Sequence, residues 1–161
     1  MDMLPVDFDQ AEQLTLGPDH YTVLATGDQT GGEIFAVEVR MAPGGGPPVM
    51  HRHAPAEIYR VTAGELAFYV GEPDGTVRRF VARAGDVVPL RGGTPHTIRN
   101  EGDMDARAFV VHSPAAVMER FSRAAAELAA STPGEPPAME DILELAARHG
   151  VELLGPVPVA T

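Results

Sequence analysis

The stretch HRHAPAEIYRVTAG, His51 to Gly64, decides how the rest of the chain is read. His51 and His53 stand two residues apart, Glu57 follows four residues later, and glycine brackets the run at Gly45 and Gly64. On an extended strand, residues two apart point the same way, so His51 and His53 share a face. Glu57 opens a second extended run whose face continues through Tyr59 and Val61. A second cluster follows downstream: Gly85 and Asp86, then Gly93, His96 and Asn100. His96 starts a further extended segment with Ile98 on its side. If these segments line one interior, three imidazoles and a carboxylate converge on one point. A divalent cation there neutralises charge that is otherwise very costly to bury.

Working outward, the chain divides near Ser113. Before it, short segments of alternating polarity are separated by Gly, Pro and Asp turns, the pattern of a sandwich or barrel. Strands are predicted over 33–41, 21–26, 57–62, 65–70, 77–81, 86–90, 96–99 and 106–112. The residues expected to point inward are Phe35, Val37, Val39, Met41, Tyr59, Leu66, Phe68, Ile98, Phe109 and Val111. Alternating apolar residues fill any sandwich, so most of these are read as core. The run APGGGPP, 42–48, predicts a rigid irregular loop just before the histidines.

After Ser113 the period becomes helical. Ser113 suits a cap and Pro114 a first helical position. Val117, Phe121, Ala124, Ala125 and Leu128 form an apolar stripe, and STPGEPP, 131–137, breaks the helix. A second helix carries Met139, Ile142, Leu143 and Ala146 on one side and stops at Gly150, with Val151 placed to pack back on its last turn. The expected organisation is an N-terminal arm over 1–20, a β-domain over 21–112, and C-terminal helices over 113–161 packing on it.

Composition removes several function classes. All 12 basic residues are arginine, and the formal net charge is −11, so no basic stripe for nucleic acid exists. The absence of cysteine removes thiolate nucleophiles and sulfur ligands, and the absence of lysine removes Schiff-base catalysis. The first thirteen residues are acidic and lack the basic and apolar regions of a signal peptide, and no apolar run is long enough to span a bilayer. A cytoplasmic protein acting on a small molecule, without nucleic-acid or membrane partners, is expected.

Nitrogen and oxygen donors without sulfur suit one divalent transition ion, with Fe, Mn, Ni, Cu and Zn all admissible. Four protein donors on an octahedral ion leave two positions open, the mark of a catalytic rather than a closed structural site. Glu57 is a candidate both for a ligand and for a base that accepts a substrate proton. Tyr59, two residues on and facing the same way, brings a hydroxyl that must find a partner. His20, His112 and His149 are read as structural.

From Glu33 to His112 the chain resembles the small single-domain cupins, since both motifs occur in order. The resemblance implies an antiparallel jelly-roll barrel, the short C-terminal helical region lying outside it, with His51, His53, Glu57 and His96 as metal ligands. It is nearest to metal-binding cupins of the quercetin dioxygenase kind, whose glutamate is the proton acceptor, and it implies a homodimer. One departure stands out: where the second motif usually has proline two residues before its glycine, this chain has Arg91. That position shapes a turn and binds no metal. The leading expectation is a dioxygenase acting on an enol or phenol. A non-redox cyclase, isomerase or lyase using the metal as Lewis acid, and a ligand-binding cupin without turnover, are the alternatives.

Overall fold

A computed structural model of the chain describes residues 4–157. The alternating segments become strands of two antiparallel sheets. The larger sheet is built from β1 (Gln13–Leu16), β2 (Asp19–Ala25), β3 (Phe35–Met41), β5 (Ala56–Ala63), β8 (Val87–Leu90) and β10 (Ala106–Ser113), in the order β1-β2-β3-β10-β5-β8. The smaller holds β4 (Val49–Arg52), β6 (Glu65–Gly71), β7 (Val77–Arg83), β9 (His96–Arg99) and β11 (Glu152–Pro156), in the order β11-β4-β9-β6-β7. The sheets face one another in a jelly-roll-like arrangement without closing into one barrel. Between them lies a single core that includes Phe35, Val37, Val61, Leu66, Phe68 and Ile98.

Inward-facing residues of the larger sheet form rungs that run across it. One reads Leu90, Glu57, His112, Phe35 on β8, β5, β10 and β3. The next reads Val88, Tyr59, Val110, Val37 and Val23. This register corrects two expected inward positions. Ala106, Ala108, Val110 and His112 are the buried residues of β10, whereas Phe109 is 38% exposed and Val111 only half-buried. Once Val110 is paired between Val37 and Tyr59, the pleat sends its odd-numbered neighbours outward.

The chain termini join the sheets. Of the arm expected over 1–20, residues 1–3 lie outside the described residues. Gln13–Leu16 forms the edge of the larger sheet, and Asp19–Ala25 pairs with β3. At the other end β11 pairs with β4, and only 158–161 are undescribed.

Between them run α1 (Ala116–Ser131) and α2 (Met139–Arg148). Ala115, not Ser113, stands at the cap of α1, without a side-chain capping bond. That helix buries Met118 and Ser122, with Val117 and Phe121 packed partly against the core. In α2 the expected face is reduced to Ala146, since Met139 and Leu143 are about half exposed. Its stop follows the sequence reading. Gly150 takes φ +76°, its N–H donates to Ala147 O, and the N–H of buried Val151 donates to Ala146 O. Among the described residues no helix is long and apolar enough to cross a membrane.

Candidate metal centre

Both sheets contribute to one buried cluster. β4 supplies His51 and β9 supplies His96, directly opposite each other in register. His53 sits in the turn between β4 and β5, and Glu57 faces inward on β5. All four are at most 8% exposed. One ligand-capable atom from each of His51, His53 and His96 lies within 4.8 Å of the other two. Glu57 Oε1 is 2.8 Å from His53 Nε2, and Oε2 is 3.1 Å from His96 Nε2.

The two sequence clusters meet because their backbones clasp at three places. Gly93 N donates to His53 O at 2.7 Å. Gly85 N donates to Val61 O, Val61 N to Asp86 O, and Ala84 N to Gly64 O. At the third clasp, Gly44 N donates to Asn100 O and Asn100 N to Gly45 O, while the Asn100 amide reaches Met41 O and Met104 O. Gly45 has no room for a side chain, since a Cβ would stand 2.3 Å from Asp19 Oδ1. The flanking glycines and the asparagine therefore fix the frame that aims the histidines.

Residues 37–112, carrying both clusters, match the Cupin domain family. That stretch is a cupin domain. Solved structures agree on the fold. Oxalate decarboxylase from Bacillus subtilis superposes with a TM-score of 0.59 at 18% identity, over 68% of this chain and 29% of that one. The cupin thus spans under a third of that protein. A sugar phosphate isomerase of the cupin superfamily from Silicibacter pomeroyi gives 0.57 at 22% identity, over 69% and 76% of the two chains. An RmlC-like cupin from Shewanella frigidimarina gives 0.58 at 21%, over 71% and 93%. No curated protein matches the chain in sequence.

The donor set of this cupin fits a divalent transition metal. The Nδ1 atoms of His51, His53 and His96 each face a backbone carbonyl, that of Val49 at 3.5 Å, Pro55 at 3.1 Å and Thr94 at 2.8 Å. A proton held on Nδ1 leaves the Nε2 lone pair free for a cation. Buried His53 Nε2, His96 Nε2 and Glu57 Oε2 indeed have no hydrogen-bond partner. Metal–donor bonds of ~2.1 Å place adjacent corners of an octahedron about 3 Å apart, close to the separations around Glu57.

Electrostatics keep Glu57 an anion. Burial pulls its carboxyl upward, but the imidazoles of His112, His53 and His96 set against its two oxygens outweigh burial and hold it well below the ordinary carboxylate range. Burial, then the neighbouring His96, lowers the His51 imidazole to about 3. Burial opposes protonation of His96 too, yet the Glu57 carboxylate 3.1 Å away raises that imidazole. Burial and the Glu57 charge push the Tyr59 phenol well above its usual value, so it remains a protonated donor beside the carboxylate. Its ring packs edge-on to Phe68 at 5.4 Å.

The sequence reading missed His112. It is 3% exposed, and its Nε2 stands 2.9 Å from Glu57 Oε1. The signal was its even-numbered place on β10 with Ala106 and Ala108, which is faint because alanine marks an inward face weakly. His20 Nδ1 pairs with Thr15 Oγ1 near the edge of the larger sheet, and His149 caps α2, both away from the centre. Arg40 and Arg60 are exposed on the outer face of the larger sheet. A cleft of about 670 Å³ runs along 87–95 and between Val70 and Phe80. It touches Thr94 and Pro95, next to His96, while no imidazole of the cluster lines it.

Proposed function

We propose that this cupin is a metal-dependent dioxygenase acting on a small enol or phenol, with His51, His53, His96 and Glu57 as ligands of one divalent ion. The observation that carries the reading is a buried carboxylate set among three clustered imidazoles, with His53 Nε2, His96 Nε2 and Glu57 Oε2 buried and without a hydrogen-bond partner. A bound divalent ion supplies Lewis acidity that acidifies an enol or phenol hydroxyl, and redox capacity where it is Fe, Mn, Ni or Cu.

The chain's own residues do the rest. Glu57 accepts the hydroxyl proton, the role its place inside the cluster suits. Tyr59, protonated and next to it, donates a hydrogen bond that steadies the carboxylate or the substrate oxygen. Apolar neighbours such as Phe35 and Phe68, both fully buried, keep bulk water from the reacting atoms.

The test is elemental analysis of the purified protein, followed by oxygen-electrode traces with flavonols and catechols. Oxygen uptake dependent on Fe, Mn, Ni or Cu supports a dioxygenase. Zinc with substrate conversion but no oxygen uptake moves the cupin to the Lewis-acid class. Bound metal without turnover of any compound leaves a ligand-binding protein.

A further inference from the structure

Four imidazoles surround Glu57, and one of them is wired the opposite way. His51, His53 and His96 turn Nδ1 to backbone carbonyls and Nε2 inward. His112 instead turns Nε2 to Glu57 Oε1 at 2.9 Å, and its buried Nδ1 has no partner. A neutral imidazole that donates from Nε2 leaves only a lone pair on Nδ1, the cheaper group to strand. His112 is thus placed as a donor and not as a fourth nitrogen ligand.

The two oxygens of Glu57 consequently differ. Oε1 has His112 as its donor, because the nearby His53 nitrogen carries a lone pair when Nδ1 holds the proton for Pro55 O. Oε2 has no hydrogen-bond partner and lies 3.1 Å from His96 Nε2. The His112 ring is itself fixed. It is the direct register partner of Glu57 on β10 and stacks on fully buried Phe35, with centroids 5.8 Å apart and planes 23° apart.

We propose that His112 is a positioning residue whose Nε2–H occupies Glu57 Oε1, so that only Oε2 is offered to the metal. The proposal rests on the metal reading above. Its consequence is a count of coordination positions: on a six-coordinate ion, three imidazoles and one carboxylate oxygen leave two open, whereas a bidentate carboxylate leaves one. His112 therefore protects the second open position, the one a dioxygenase needs for its second reactant.

The experiment is Mn(II) titration of the metal-free protein, read by calorimetry and by the electron paramagnetic resonance spectrum of the bound ion. It compares wild type with His51→Ala, His112→Leu, His112→Gln, His112→Asn, Glu57→Ala and the Glu57→Ala/His112→Leu double variant. Expected is one Mn(II) in wild type and in His112→Leu, with affinity in the latter lower by about 10- to 100-fold and an altered spectrum. His112→Gln, whose amide N–H reaches the carboxylate, stays nearer wild type than the shorter His112→Asn. In the Glu57→Ala background, His112→Leu costs nothing further, because its effect passes through Glu57.

Equal losses from His112→Leu in both backgrounds overturn the proposal in favour of simple packing. Loss of stoichiometry matching His51→Ala overturns it in favour of direct ligation. Unchanged affinity and spectrum in His112→Leu overturn it outright, while a wild type that binds none of Mn(II), Fe(II), Ni(II), Cu(II) and Zn(II) defeats the metal reading beneath it. Should His112→Leu fail to fold by circular dichroism, the Gln–Asn contrast decides.

Discussion

His51 and His96 face each other across β4 and β9 as the register pair that joins those two strands, with ring centroids 4.5 Å apart. Two imidazoles this close and this buried are not both positively charged, so the pair is built to aim neutral-ring lone pairs at a cation.

Replacing either of them tests that directly. His51→Ala or His96→Ala is expected to remove most bound metal while the sheets persist. Metal stoichiometry by mass spectrometry alongside far-ultraviolet circular dichroism reads both quantities. Unchanged stoichiometry in both variants defeats the assignment.

Acid should destabilise the metal-free protein through His51. Its folded value of about 3 lies below the ordinary 6.5, so the unfolded chain takes up a proton first as pH falls. The stability held in neutral His51 is complete above about 6.5 and is lost as pH drops toward 3. Glu57, also depressed, adds loss in the same direction at lower pH. His96 acts oppositely: its raised value gives stability that is complete below 6.5 and lost as pH rises through the folded value. Urea midpoints at pH 7.5 and 5.0 should therefore drop more in wild type than in His51→Leu. An equal drop in the two proteins would assign the acid slope elsewhere.

Gly46 holds the loop that leads into His51. At φ +97°, a Cβ on it would stand 2.1 Å from Ile98 O on the strand that carries His96. Its N–H donates to Asp19 Oδ2, and its carbonyl accepts from Arg99. Gly44, at φ +78°, has open space around it. Gly44→Ala should thus cost only backbone strain, about 1 kcal/mol, whereas Gly46→Ala adds a backbone clash and should cost about 3 kcal/mol or more. Chemical denaturation that ranks them equally would show that the loop yields.

Phe68 marks the core's dependence on aromatic packing. It is fully buried, stacked on Phe80 at 5.4 Å and edge-on to Tyr59. Phe68→Ala should cost about 3–5 kcal/mol. A loss under 1 kcal/mol in urea melts would mean that the sheets close over the gap.

Much of this was legible in the sequence because the informative residues are rigidly spaced. His51, His53, Glu57 and His96 lie together, but period 2 does not account for His53, which sits in the turn after β4 and not on a strand; the 96–99 strand matches to the residue. β10 was misread because Phe109 and Val111 outweigh two alanines in any hydrophobic pattern, although the pairing of Val110 sets the face. β11 was missed because ELLGP carries glycine and proline, and because its partner β4 is only four residues long. Such pairing is a tertiary fact with no local signature. His112 follows the same lesson, since its meaning lies in Glu57, 55 positions earlier in the chain.

The link between β11 and β4 reaches into biosynthesis. Leu153 is the register partner of His51, so the strand bearing the first histidine keeps a bare edge until residues 152–156 leave the ribosome. Throughout the translation of α1 and α2, the nascent cluster stands beside an unfinished flank. The sheet edge beside His51 is thereby completed only by the strand made last among the described residues.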